Sequence, residues 1–148
     1  MTPDTTSPTP NTALDPAVSR ALGHGHTIDI TTIGRRSGEP RRIEITFFNF
    51  GGRLFISGMP NPNRERAWLL NIRANPNITF HLKQLVTADL PATAHEVTDP
   101  DEVREIQTKV ARAWQRDAEE MIRSSPLIEI VIPGYGVADA ESPVAAPA

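Results

Sequence analysis

Residues 42–58, RIEITFFNF-GG-RLFISG, constrain the fold more than any other stretch of the chain. Two runs rich in Ile and Phe stand on either side of Gly51-Gly52. A two-residue loop of this kind supplies the positive φ angles that a tight hairpin turn needs, so the two runs should pair antiparallel. The same alternation of apolar and polar residues marks a strand at 26–34 (HTIDITTIG), where Ile28 and Ile30 share a face. NPNITFHLK (75–83) opens as a turn and becomes a strand, and another strand covers about 86–96. LIEIVIP (127–133) is almost continuously apolar and reads as a central strand.

Two helices separate these strands. RERAWLLNIRA (64–74) offers Trp68, Leu69 and Ile72 to the interior, after the loop MPNPN (59–63). The second helix starts at Asp99-Pro100, with Asp99 as cap and Glu102 at the capping-box position. Its periodic residues, from Val103 through Trp114 to Met121, predict one helix ending near Ser124-Ser125-Pro126. The order β, ββ, α, ββ, α, β is mainly β with α. It argues against a doubly wound sheet and predicts a small barrel of about six mostly antiparallel strands with two flanking helices.

A length of 148 residues suits one domain. Pro, Thr and Ser dominate residues 1–13, and the C-terminal ADAESPVAAPA is similar in character. The expected division is a disordered arm over 1–20, a barrel domain over 21–137 and a disordered tail over 138–148. The chain has no cysteine, which removes disulfides, thiolate metal sites and a Cys nucleophile. No apolar run approaches a membrane span, and the N-terminus lacks the pattern of a signal peptide, so the default expectation is cytoplasmic.

The chain carries a net charge of −3, unevenly spread. Residues 31–75 hold eight arginines, three glutamates and no lysine, for +5, whereas residues 76–148 carry −6. The positive charge peaks in TTIGRRSGEPRR (31–42). One reading of this turn is a solvated surface in which Gly34 and Gly38 only permit the bend. The other is an anion cradle: glycines that let backbone N–H groups approach a ligand, the Ser37 hydroxyl, and guanidinium groups that bind phosphate or carboxylate in bidentate fashion. A nucleic-acid face fits less well. The aromatics Phe47, Phe48, Phe50 and Phe55 lie in strands where about half should be core, and the rest of the surface is acidic.

TTIGRRSGEPRRIEITFF, GGRLFISG and AWLLNIRANPNITFHLK, in that order and spacing, resemble the deazaflavin-dependent nitroreductase family over about Thr31 to Lys83. The resemblance implies a split β-barrel oxidoreductase that uses coenzyme F-420. It implies that Arg35, Arg36, Ser37, Gly38 and Arg41 hold the anionic part of the coenzyme, a phosphate with an oligoglutamate tail. Ser57 and Gly58 would lie beside the deazaflavin ring, and Trp68 and Asn71 would sit on the helix that closes the site. Arg64 and Arg66 would supply further positive charge. The acceptor implied is a small hydrophobic molecule such as a quinone, enone or nitro compound. The alternatives are an FMN enzyme of the same fold and a barrel that binds a ligand without turnover. A homodimer and a monomer both stay open. No catalytic residue stands out, although Ser57 and Tyr135 are candidate proton donors.

The remaining candidates read as structural. His24-Gly25-His26 has no third ligand at metal-site spacing, so no metal is expected. His81 alternates with Phe80 and Leu82 and reads as a packed strand residue. Asp101, Glu102 and Glu105 open a helix, where negative charge favours the dipole. No Ser-His-Asp set is visible.

Overall fold

The computed structural model describes residues 14–60 and 66–135. In chain order the elements are α1 (Pro16–Leu22), β1 (Thr27–Ile33), β2 (Pro40–Phe50), β3 (Arg53–Ser57), α2 (Ala67–Ala74), β4 (Asn77–Leu82), β5 (Ala88–Glu96), α3 (Pro100–Trp114), α4 (Ala118–Ser124) and β6 (Leu127–Val131). The six strands form a closed antiparallel barrel in the order β1-β2-β3-β6-β5-β4. Gly51 and Gly52 turn the β2–β3 hairpin with φ angles of 66° and 92°, as the Gly-Gly signal requires. Closure comes from Ile30 pairing with Phe80 between β1 and β4, and from Leu54 pairing with Ile130 between β3 and β6.

The period-two pattern places the core. Along β1 every second residue is buried, so Ile28, Ile30 and Thr32 point into the barrel. Phe47, Leu54, Ile56, Phe80, Leu82, Ile128 and Ile130 join them there. Phe47 and Phe80 meet edge to face, with ring centroids 5.3 Å apart. A second apolar cluster lies outside the barrel wall, where α3 and α4 set Ile106, Val110, Ala111 and Met121 against Phe48, Phe55 and Leu127. Each large side chain fully buried this way contributes roughly 1.5–3 kcal/mol. Three of the four strand phenylalanines are buried and Phe50 is half-buried, more than the expected half.

Two helical features differ from the sequence expectation. The helix predicted across 100–124 is broken: Gln115 adopts a left-handed conformation, φ 56°, and Asp117 caps a new helix by accepting from the Glu120 N–H at 2.9 Å. At the other end, α1 begins at Pro16, ahead of the expected boundary at 21. Asp15 caps it and Leu22 is fully buried. The barrel is therefore accompanied by four helices among the described residues rather than two.

The α3 layer is tied to the barrel by one buried polar side chain. Gln107, fully buried, donates to the Ser57 hydroxyl oxygen at 3.2 Å and to the Pro126 carbonyl at 3.1 Å.

Candidate functional site

The arginine turn joins β1 to β2 at one end of the barrel. Inside it, the Gly34 N–H donates to the Glu39 carbonyl and the Gly38 N–H to the Gly34 carbonyl, both at 2.8 Å. Gly38 has φ 73°, where a side chain would strain the backbone. At Gly34 a Cβ would come within 2.6 Å of the Ser37 Oγ. The Ser37 Oγ accepts from the Glu39 N–H at 3.1 Å. The two glycine N–H groups thus hold the turn together and are not directed at a ligand. Among the described residues, the N–H groups of Arg36 and Ser37 have no hydrogen-bond partner. Two consecutive N–H groups at a turn tip make a nest for an anion.

Beside the turn lies a groove of about 390 Å³ lined by Thr32, Gly34, Arg35, Arg36, Ser37, Arg41, Arg42, Ile43, Ala67, Trp68 and Asn71. Six of the residues predicted to hold the coenzyme's charge or close its site, Arg35, Arg36, Ser37, Arg41, Trp68 and Asn71, therefore meet at once, from the turn, β2 and α2; Gly38 sits in the same turn. Trp68 is half-buried against the barrel core and forms an apolar wall. Among the described residues, Arg35, Arg36 and Arg41 form no ion pair. Arg42 does: its Nε donates to the Asp29 carboxylate at 2.9 Å. Lys83 reaches the other oxygen of Asp29 at 2.6 Å. These bonds, Lys83 first and then Arg42, hold the Asp29 carboxyl below the usual carboxylate range.

Other predicted residues lie elsewhere. Ser57 is buried, and its hydroxyl donates to the Pro126 carbonyl at 2.6 Å, away from the groove lining. Arg66 is also buried. It stands at the N-cap of α2, donates to the Met59 carbonyl and packs so closely on Gly58 that a Cβ there would meet its Nε at 2.8 Å. Neither Gly58 nor Arg66 lines the groove. Arg64 lies outside the described residues. The Tyr135 hydroxyl accepts from Asn49 at 3.0 Å, near the Gly51-Gly52 end of β2 and so far along the strand from the arginine turn.

Sequence reasoning missed one hydrogen-bonded chain. On the outer barrel face, Thr31 Oγ1 lies 2.6 Å from His81 Nε2, and His81 Nδ1 lies 2.7 Å from an Asp89 oxygen. The bond from His81 lowers the Asp89 carboxyl from its ordinary pKa. The order imitates a nucleophile, base and acid. However, Thr31 sits mid-strand, paired on both sides with Arg42 and Thr79, so the ladders use the neighbouring N–H groups and leave no oxyanion donors. The chain braces three strands. Among the described residues no cluster of His, Asp and Glu could hold a metal, and His26 instead bonds the Ala21 carbonyl at 2.9 Å.

The site is thus a cationic groove at one end of a closed six-stranded barrel, walled by Trp68 of α2. A family model described as F-420H(2)-dependent quinone reductase matches residues 11–133, and the chain belongs to that family of oxidoreductases. Its fold recurs in solved structures of low identity. A structure described as a domain-swapped dimer is 19% identical, with a TM-score of 0.56 over 70% of this chain and 78% of that one. An F-420-H2 dependent reductase, FDR-A, is 18% identical, with a TM-score of 0.55 over 70% and 92%. A FAD-binding protein from Mesorhizobium loti is 15% identical, with a TM-score of 0.52 over 80% and 90%. No helix among the described residues is long and apolar enough to cross a membrane.

Proposed function

We propose that this chain takes reduced coenzyme F-420 in the arginine groove and passes its hydride to a small hydrophobic acceptor of the quinone, enone or nitro type. The observation that carries the reading is the set Arg35, Arg36 and Arg41, without ion pairs among the described residues, beside a groove of about 390 Å³. The residues fit the coenzyme's anionic part. Permanent guanidinium charge and two unpartnered N–H groups suit a phosphate followed by carboxylates. Trp68 and Ile43 give the groove apolar walls for a flat ring. The coenzyme itself supplies the hydride chemistry. The chain's own part is to bind the charge, orient the ring and keep water from it. A reductase of this kind needs no nucleophile, which agrees with the structural role of the Thr31–His81–Asp89 chain.

FMN is the rival cofactor, and the FAD-binding neighbour makes it a concrete one. Three guanidinium groups exceed what a single phosphate needs, so they favour the ligand with more negative charge. The domain-swapped neighbour makes a homodimer the assembly to look for. The test is a fluorescence titration with coenzyme F-420, with FMN in a parallel cell. Saturable binding of the deazaflavin alone at micromolar concentration is expected. Binding of FMN alone would change the cofactor. Binding of neither would leave a barrel without this chemistry.

A further inference from the structure

We propose that Asn71 is a positioning residue: it fixes the arginine turn in the shape that binds the anionic part of the coenzyme. The inference rests on the F-420 reading above and gives one of its residues a different role from direct contact. Asn71 is 3% exposed, and both ends of its carboxamide are engaged. Its Oδ1 accepts the Arg35 N–H at 3.0 Å, and its Nδ2 donates to the Thr32 hydroxyl oxygen at 3.0 Å. A backbone N–H can bond only to the amide oxygen, so these partners settle which way the amide points.

The first of these bonds has no substitute. The other hydrogen bonds of the turn, Gly34 to Glu39, Gly38 to Gly34 and Glu39 to Ser37, all stay within it. Among the described residues, Arg35 N–H to Asn71 is the only hydrogen bond joining residues 34–39 to an element other than β1 and β2. Without it the turn is anchored only where it meets the ladder, at Ile33 and Pro40. The N–H groups of Arg36 and Ser37 follow directly after the braced residue, so their direction depends on it. Trp68 lies three residues earlier on the same face of α2. The apolar wall and the brace therefore belong to one rigid helix.

The test compares wild type, Asn71→Ala and Thr32→Val against two ligands: coenzyme F-420, and the same deazaflavin chromophore without phosphate and glutamates. Thr32→Val removes the second bond of Asn71 but leaves the brace on Arg35. Asn71→Ala should weaken the full coenzyme roughly fivefold to tenfold, the scale of one lost hydrogen bond. It should leave the affinity of the tailless chromophore unchanged, and flatten the salt dependence of coenzyme binding. Thr32→Val should lower the melting temperature and weaken the full coenzyme clearly less than Asn71→Ala does. If the alanine variant does not fold, Asn71→Ser carries the same comparison, since its hydroxyl is too short to reach Arg35. Equal loss on both ligands would mean that Asn71 touches the chromophore, and would overturn the proposal. So would a coenzyme defect in Thr32→Val as large as in Asn71→Ala. Failure of the F-420 reading is seen separately, as no coenzyme binding by wild type, and the proposal would fall with it.

Discussion

Arg53 and Arg41 lie on adjacent strands of one barrel and are used in opposite ways. Arg53 grips Glu129 with two bonds, at 3.0 Å and 2.7 Å, and also reaches Glu102, so it ties β3 to β6 and to the start of α3. Its pKa is raised, first by the Glu129 bond. Arg73 with Glu96 and Arg104 with Glu119 repeat the pattern. Arg41, with Arg35 and Arg36, has no such partner among the described residues, although the whole chain is acidic. Where carboxylates outnumber cations, leaving three neighbouring guanidinium groups unpaired costs repulsion between them and gains nothing for the fold. Arg20, Arg112 and Arg123 also form no ion pair among the described residues, so what sets Arg35, Arg36 and Arg41 apart is that three such cations line one groove.

The largest expected effect tests the second class. Arg36→Ala and Arg41→Ala should each weaken coenzyme binding by roughly 1–3 kcal/mol, and the double variant by about the sum, as read by titration. The melting temperature should hold or rise slightly as repulsion is relieved. A melting temperature that falls with affinity would erase the distinction. Next in size, Arg53→Ala should cost about 1 kcal/mol of stability in a urea melt, the upper range for a largely exposed pair, with no change in coenzyme affinity.

The smallest effect concerns Asp29, which stands between the two classes because it pairs Arg42 at the edge of the groove. Asp29→Asn should raise coenzyme affinity by about threefold, the scale of one exposed charge removed nearby, and slightly lower stability at pH 7. The sign follows from the lowered carboxyl of Asp29. Its stabilisation is complete above the unfolded value near 3.9 and is lost as pH falls through the lower folded value. Wild type and variant should therefore converge in stability once pH lies below that folded value. A difference that persists there would assign the effect to packing.

The strands were legible because burial on alternate faces is written as period two, as in Ile28, Ile30 and Thr32. The turn was legible as a cluster, since six predicted residues meet at one groove. The break at Gln115 was not, because the apolar period runs on from Trp114 to Met121 and a single left-handed residue leaves no mark in it. The capping signal was nonetheless present: Asp117 stands three residues before Glu120, and Asp15-Pro16 repeats the Asp99-Pro100 start. Ser57 and Arg66 stand outside the groove lining for a different reason. Sequence spacing tells which strand or helix a side chain leaves from, but not whether another element covers it. Gln107 and Pro126 cover Ser57, and Gly58 and Met59 receive Arg66.

The manner of barrel closure has a consequence for how the protein is made. β6 is the last of the described strands to leave the ribosome, and it lies between β3 and β5 in the finished barrel. Until Leu127–Val131 emerges, both of those strands present bare edges, and Leu54 waits for Ile130 across most of the domain. A nascent chain in that state can pair with a neighbour through either edge. Such long-range pairing is also slow. The arginine turn, built from adjacent strands and one nearby helix, needs no such wait. The proposed site can take shape while the barrel around it is still open, and a ligand bound then would favour closure over aggregation.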